Sequence, residues 1–214
     1  MLLNKCPNAI QIYDKIFDIE TNARLWLNIS IQLSKVNNAY QVIDILFSAI
    51  KNKKDINEEY NNKLIEKLYW FLNCGKTNNE IKAESEKATR GSNEKLYSFE
   101  KDDTLIFSAF YRTYKIDIEA ELDTLHWWKF MAMFNDLDEK SKLVGVYMYY
   151  RGLDINESSI YKHASEREKQ KILEMKNFVS LESKNMGSNI DNAEEEKIRL
   201  ERLKILEAKN GNRN

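Results

Sequence analysis

His126 is the side chain best suited to general acid–base chemistry in this sequence. Its nearest ionisable neighbours along the chain are Asp123 and Lys129. A catalytic base needs a nucleophile, an orienting partner or a metal within hydrogen-bonding reach, and this segment supplies no such set. We therefore expect His126 to be a core or boundary histidine. The second histidine, His163, lies in a charged segment and is expected at the surface.

Three runs of carboxylates fall where helices are predicted to begin. They are Glu58-Glu59, Asp102-Asp103 and Glu194-Glu195-Glu196. Negative charge at a helix N-terminus complements the helix dipole, which explains these runs without acid–base or metal chemistry. The sequence contains no phosphate-binding glycine loop, nucleophile elbow, H-E-x-x-H motif or EF-hand loop. It therefore predicts no catalytic, cofactor or metal site, and a protein that is not an enzyme.

The cysteines and the overall charge limit the compartment and the partners. Cys6 and Cys74 lack C-x-x-C spacing, which favours reduced thiols in a reducing cytosol. No signal peptide and no apolar run of about 18 residues is present. The 33 Lys and Arg residues nearly cancel the 34 Asp and Glu residues, so no global field attracts nucleic acid or an anionic membrane. We expect neither as a partner.

The elements around His126 are predicted to be helices. In residues 125–134, Trp127 is followed by Phe130, Met131 and Phe134 at i+3, i+4 and i+7, so one helix is apolar nearly all round. Such a helix is either central core or part of a binding face, and the pattern leaves both open. With one proline and six glycines, the chain is predicted to be mainly α-helical.

The sequence predicts four regions. Residues 9–19 alternate with period 2 and predict a β-hairpin, and three helices follow it. Residues 76–95 contain one strongly apolar residue and predict a flexible linker. One helix is predicted to end at residues 151–152, and another to run from about residue 158 to 181. The regions are 1–75 (hairpin and helices), 76–95 (linker), 96–181 (helices around the tryptophan pair) and 182–214 (charged, partly helical tail).

Several strings resemble one known family. They are Tyr97-Ser98-Phe99-Glu100, Ile106-Phe107-Ser108-Ala109-Phe110, Leu125-His126-Trp127-Trp128-Lys129-Phe130 and Tyr150-Arg151, with Trp70-Phe71-Leu72 in the first half. In these strings the chain resembles the "gene product fifteen" family of tail-module proteins from phages and prophages of Gram-positive bacteria. It departs from the family at Met131, where the pattern has arginine.

The resemblance implies a non-enzymatic tail assembly chaperone in the host cytoplasm that is absent from the mature virion. Its implied partners are the tape-measure protein, bound transiently, and the major tail protein, which it helps to recruit; self-association is also open. Flexible methionines and aromatics suit a groove that accepts varied apolar helices. The predicted partner-binding residues, whose role as core or interface stays open, are Trp127, Phe130, Met131, Phe134, Tyr147 and Tyr150.

Two other functions remain open from the sequence. Lys140, Lys142 and Arg151 lie near Tyr147 and Tyr149-Tyr150, a mixture of cations and aromatics that can bind single-stranded nucleic acid, so a nucleic-acid-binding regulator is one alternative. A structural minor tail component of the virion is the other.

Overall fold

The computed structural model describes residues 5–53, 56–77, 79–81 and 95–181, without the side chain of Glu58. The chain divides into a compact unit, Met1–Val179, and a second unit, Ser180–Asn214. The described part is mainly helical with an N-terminal two-stranded antiparallel hairpin, which confirms the predicted fold class. The predicted charged tail and most of the predicted linker, residues 82–94, lie outside the described residues.

The hairpin consists of β1 (Ala9–Ile12) and β2 (Lys15–Asp18). Ile10 pairs with Phe17, and both side chains are buried, as the period-2 alternation predicts. Tyr13 in the turn has φ of 55°, a left-handed conformation that tight hairpin turns require. An isolated hairpin is marginally stable in water, and this one packs against a helix of the first half.

Helices make up most of the remaining described chain. They are α1 (Ala23–Leu33), α2 (Ala39–Phe47), α3 (Glu58–Leu72), α4 (Asp103–Tyr114), α5 (Ile118–Glu121), α6 (Trp127–Asn135), a π-helix (Leu143–Met148), α7 (Tyr149–Gly152), α8 (Ser159–His163) and α9 (Glu166–Val179). Asn22 and Asn38 begin α1 and α2 because their side chains accept hydrogen bonds from the first free backbone N–H groups.

The tryptophan pair joins the two segments that flank residues 76–95. The indole of Trp127 donates to the carbonyl of Leu72 at 2.8 Å, and that of Trp128 donates to the carbonyl of Phe71 at 2.8 Å. These carbonyls lie at the C-terminal end of α3. That of Phe71 also accepts from the N–H of Cys74 at 3.0 Å, so the two indoles contribute to the cap of this helix. Helices before and after the predicted linker therefore share one core.

Aromatic rings fill the centre of that core. Trp127 and Phe130 lie nearly parallel with centroids 5.7 Å apart, Phe110 stacks on Phe130 at 5.2 Å, and Phe134 continues the row at 6.2 Å from Phe130. On the other side of the core, Trp26 packs on Phe71 at 4.7 Å. Each buried aromatic removes roughly 150–250 Å² from water, so this row contributes much of the hydrophobic stabilisation.

Three helical segments differ from the predictions. Residues 125 and 126 precede α6 because His126 caps it. The helix predicted to end at residues 151–152 does end at Gly152, but it is π-helical from Leu143 to Met148, where the absence of a side chain at Gly145 lets the carbonyl of Glu139 approach. The helix predicted from about residue 158 to 181 is interrupted, since Ser165 and Glu168 bond to each other's backbone N–H and start α9.

Candidate functional site

An open groove of about 740 Å³ lies between α1, α4 and α5. We call it the α1–α4 groove. Its lining residues are Arg24, Leu27, Asn28, Ile31, Phe99, Glu100, Asp103, Thr104, Ile106, Phe107, Ile118, Glu119, Leu122 and Phe130. Most of the side chains that form its floor are apolar. An apolar floor with an open mouth is suited to binding the apolar side of another molecule.

Helix α1 presents two apolar faces. Ala23, Trp26 and Ile29 are buried in the core, whereas Leu27 and Ile31 are only half-buried and line the groove. Because residues four apart lie on one side of a helix, Leu27 and Ile31 form a second apolar stripe.

Backbone hydrogen bonds fix α1 against the other wall of the groove. The N–H of Ala23 donates to the carbonyl of Leu125 at 2.8 Å, and the N–H of Arg24 donates to the carbonyl of Leu122 at 3.0 Å. The N–H of Trp127 donates to the carbonyl of Thr21 at 2.7 Å. The start of each of these two helices, α1 and α6, thus bonds to the segment that precedes the other. These hydrogen bonds set the spacing between α1 and the segment that contains α5.

Helices α4 and α5 form the opposite wall. Ile106 is buried, but Phe107 is 39 % exposed and lies at the groove surface. Lys115 has φ of 59° and turns the chain after α4, and the carboxylate of Asp117 caps α5. This turn brings the apolar side of α5, with Ile118, to the groove floor. An exposed phenylalanine beside further apolar side chains is a feature of binding surfaces.

The rim of the groove is acidic. Its lining residues include three carboxylates, Glu100, Asp103 and Glu119, and one cation, Arg24. The Nε of Arg24 donates to the carboxylate of Asp123 at 2.7 Å, and this hydrogen bond raises the pKa of Arg24 above its ordinary value. Arg24 therefore remains charged but already has an anionic partner.

The predicted partner-binding residues do not form a single exposed surface. Trp127, Phe130 and Phe134 are buried core residues, and only Phe130 also reaches the floor of the groove. Met131 is half-buried and packs against the core. The role of these side chains in partner binding stays a prediction.

Tyr147 and Tyr150, the other two predicted residues, lie near α9. The ring of Tyr147 contacts that of Phe178, with centroids 6.2 Å apart, and Tyr150 contacts Tyr149 at 5.2 Å. Both tyrosines are half-buried. These tyrosines therefore belong to an aromatic surface near α9. Their described ring contacts do not include the buried aromatic residues of α6.

Comparison with known families bears directly on these positions. A sequence model of the family described as bacteriophage Gp15 protein matches residues 2–181. The chain belongs to this family. No curated protein and no solved structure gave a significant match. The match includes α1, α4, α5 and α6, so all the residues that line the α1–α4 groove lie in the family region of this Gp15 protein.

Arg151 forms a buried polar centre in this Gp15 protein. Its guanidinium donates to both carboxylate oxygens of Asp102, at 2.6 and 2.9 Å, and to the carbonyl of Leu96 at 3.0 Å. Its Nε donates to the carbonyl of Val179 at the end of α9. One side chain thus joins α4, α7, α9 and the segment before α4.

Asp102 was expected to complement the dipole of the helix that it precedes. Instead its carboxylate accepts from the N–H of Ser98 at 2.9 Å and binds Arg151, and it forms no capping hydrogen bond to α4. This pair was not predicted from the sequence. Its signal was an arginine directly after the apolar and aromatic run 143–150, a position where an unpaired cation is costly.

His126 is engaged by the backbone on both sides of its ring. Its Nδ1 accepts from the N–H of Trp128 at 3.1 Å, and its Nε2 lies 2.9 Å from the carbonyl oxygen of Pro7. These partners assign the proton to Nε2, since a carbonyl can only accept. Burial lowers the pKa of His126, which favours the neutral ring that this arrangement requires.

Within the described ranges, no three His, Cys, Asp or Glu side chains are arranged to hold a metal ion. None of the described helices is long and apolar enough to cross a membrane. Cys6 and Cys74 are free thiols, and burial raises the pKa of Cys74 to about 12. His163 is exposed, and its Nδ1 lies 2.8 Å from the carbonyl oxygen of Ser159.

Proposed function

We propose that this Gp15 family protein is a non-enzymatic tail assembly chaperone. It binds helices of the tape-measure protein transiently in the α1–α4 groove and helps to recruit the major tail protein. It acts in the host cytoplasm and leaves before the virion is complete. The groove is the observation that carries the proposal, because it offers an open and largely apolar surface between helices.

The physical reason is protection of apolar helices before assembly. A long amphipathic helix exposes an apolar face that aggregates unless another surface covers it. Leu27 and Ile31 lie one helical turn apart on α1, and Phe107 on α4 adds a third apolar side chain to the groove. A partner helix lying between α1 and α4 would bury its own stripe against them in the helix-in-groove manner.

The groove also favours weak and variable binding over tight recognition. Its mouth is open, and its apolar contacts are made through side chains that do not demand one partner sequence. Transient binding is what a chaperone requires, since the tape-measure helices must be released when tail protein polymerises around them. The acidic rim disfavours nucleic acid here, because carboxylates repel phosphates.

Co-expression of the full chain with a tape-measure fragment tests the proposal. The wild-type protein should keep the fragment soluble, whereas Phe107→Glu should leave most of it in the pellet. Tyr111→Glu is the matched control, since Tyr111 is on the same helix, is 56 % exposed and does not line the groove. If the fragment's solubility is unchanged by the wild-type protein, the chaperone function is refuted.

A co-purification experiment tests the second partner. Tagged wild-type protein carrying the tape-measure fragment should retain more major tail protein than the tagged protein alone. Equal retention with and without the fragment would refute the recruitment step.

A further inference from the structure

The rim of the α1–α4 groove carries carboxylate side chains, which an apolar binding surface does not require. Glu100 and Asp103 lie at the start of α4, and Glu119 lies on α5, which belongs to the same wall of the groove. Glu100 is paired with Lys35 at 2.5 Å. A helix lying between α1 and this wall would therefore have the carboxylates of Asp103 and Glu119 along one of its flanks.

The surroundings extend this acidic character. Residues 117–123 carry Asp117, Glu119, Glu121 and Asp123, and this stretch contains no basic residue. All four side chains are exposed. The one cation among the described lining residues, Arg24, is bonded to Asp123 and to the carbonyl of Glu119. Arg24 offsets the charge of Asp123, and Lys35 offsets that of Glu100, so the negative field that a partner meets comes from Asp103, Asp117, Glu119 and Glu121.

We propose that the α1–α4 groove selects a basic amphipathic helix, with an apolar stripe and with Lys or Arg on the flank that faces α4 and α5. The inference rests on the proposed function and names the chemistry of its partner. The apolar stripe covers Leu27, Ile31 and Phe107, and the flanking cations meet Asp103 and Glu119. Charge complementarity of this kind adds selectivity and speeds association, while the apolar contact supplies most of the affinity.

The same charges make binding dependent on salt. Exposed ion pairs weaken as salt shortens the screening length from about 10 Å at 0.1 M to about 3 Å at 1 M. Apolar contact is not weakened in this way, because it carries no charge to screen. A basic helix should therefore bind more weakly at high salt, whereas an uncharged helix with the same stripe should not.

The test uses three synthetic 18-residue helical peptides with the same leucine stripe and with Lys, Gln or Glu at the flanking positions. Binding to the full chain is measured by isothermal titration calorimetry across a salt series. The Lys peptide should bind roughly tenfold more tightly than the Gln peptide at low salt, and the Glu peptide more weakly than either. The advantage of the Lys peptide should largely disappear at high salt.

A variant with a neutralised rim distinguishes the effect of the charges at the groove from the effect of the protein's net charge. The rim variant combines Glu100→Gln, Asp103→Asn and Glu119→Gln. The matched control combines Asp44→Asn, Glu59→Gln and Glu157→Gln, which are exposed, lie outside the groove lining and change the net charge equally. The rim variant should lose the preference for the Lys peptide and keep its affinity for the Gln peptide, and the control should behave as the wild type.

Three results overturn the inference, and they differ in what they say of the proposed function. If all three peptides bind equally and Phe107→Glu abolishes binding of each, the groove binds helices but does not select charge. If no peptide binds and the tape-measure fragment also stays insoluble, both the inference and the proposed function fail. A preference for the Lys peptide that persists in the rim variant also overturns the inference, because the selectivity then lies elsewhere.

Discussion

Replacing Arg151 by alanine should destabilise the protein more than any surface substitution of a charge. The side chains of Arg151 and Asp102 are 4 % and 3 % exposed, and their closest atoms are 2.6 Å apart. Without the guanidinium, the buried Asp102 carboxylate keeps only the N–H of Ser98 as a described partner. The carbonyls of Leu96 and Val179 also lose their donors.

The expected loss follows from the cost of a buried and unpaired charge. Removing one partner of a buried ion pair lowers the free energy of unfolding by about 3–5 kcal/mol. For a chain of about 150–250 residues, each kcal/mol lowers the melting temperature by roughly 2–4 °C. Arg151→Ala should therefore melt about 6–20 °C below the wild type, and urea denaturation should give the matching loss in free energy.

Asp123→Ala is the matched control for this prediction. Asp123 and Arg24 are 2.7 Å apart, nearly the same separation as the buried pair, but both side chains are exposed. An exposed pair contributes about 0.2–1 kcal/mol, so the control should melt within a few degrees of the wild type. The double variant Asp102→Leu and Arg151→Met should be more stable than Arg151→Ala, since it leaves no buried charge unpaired.

The two measurements together can refute the reasoning. If Arg151→Ala and Asp123→Ala lower the free energy of unfolding by equal amounts, Arg151 is not a buried connection between α4, α7 and α9. If the double variant is as unstable as the single one, the loss comes from packing and not from the unpaired carboxylate.

Three further predictions follow from buried side chains. Because burial lowers the pKa of His126 below its value of 6.5 in the unfolded chain, the unfolded state takes up a proton first, and stability is complete above about pH 6.5 and declines as the pH falls below it. His126→Asn keeps an acceptor for the cap of α6 and should show a smaller loss of stability between pH 7 and pH 5 in urea denaturation. Cys74, with its pKa raised to about 12, should react with iodoacetamide at pH 8 roughly a thousandfold more slowly in the native protein than in urea. Trp127→Ala should lower the free energy of unfolding by about 3–5 kcal/mol in urea denaturation, because Trp127 is 2 % exposed in the core.

For each of these three predictions, one result would contradict the reasoning. A pH dependence that is identical in the wild type and His126→Asn would remove His126 as its source. Fast native labelling of Cys74, identified by peptide mass, would show that its thiol is not buried. A Trp127→Ala variant that keeps its melting temperature but loses tape-measure binding would place Trp127 at an interface.

Local patterns in the sequence predicted much of the fold. The alternation in residues 9–19 predicted the hairpin, and Asn22 is a residue type that favours helix N-termini and does cap α1. Both depend on residues close together in the chain, where side-chain period and capping chemistry decide the structure. The pairing of Ser165 with Glu168 was also visible in the sequence, and its neglect is why α8 and α9 were predicted as one helix.

The groove and the polar centre could not be predicted in the same way. Leu27 and Ile31 look like additions to the core stripe of α1 until α4 and α5 are placed beside them. The pairing of Arg151 with Asp102 joins residues 49 positions apart, and the tryptophan caps on α3 act over similar distances. Such contacts depend on which helices pack together, and the periodicity of one helix does not contain that information.

The location of the bound helix is the central claim, and hydroxyl-radical footprinting tests it most directly. The full chain is oxidised alone and in complex with a soluble tape-measure fragment, and modified side chains are identified by mass. We predict that Phe107 becomes protected in the complex while the exposed Tyr149, beside Tyr150, reacts as before. Protection of Tyr149 with Phe107 unchanged would contradict the account and place the partner on the aromatic surface near α9.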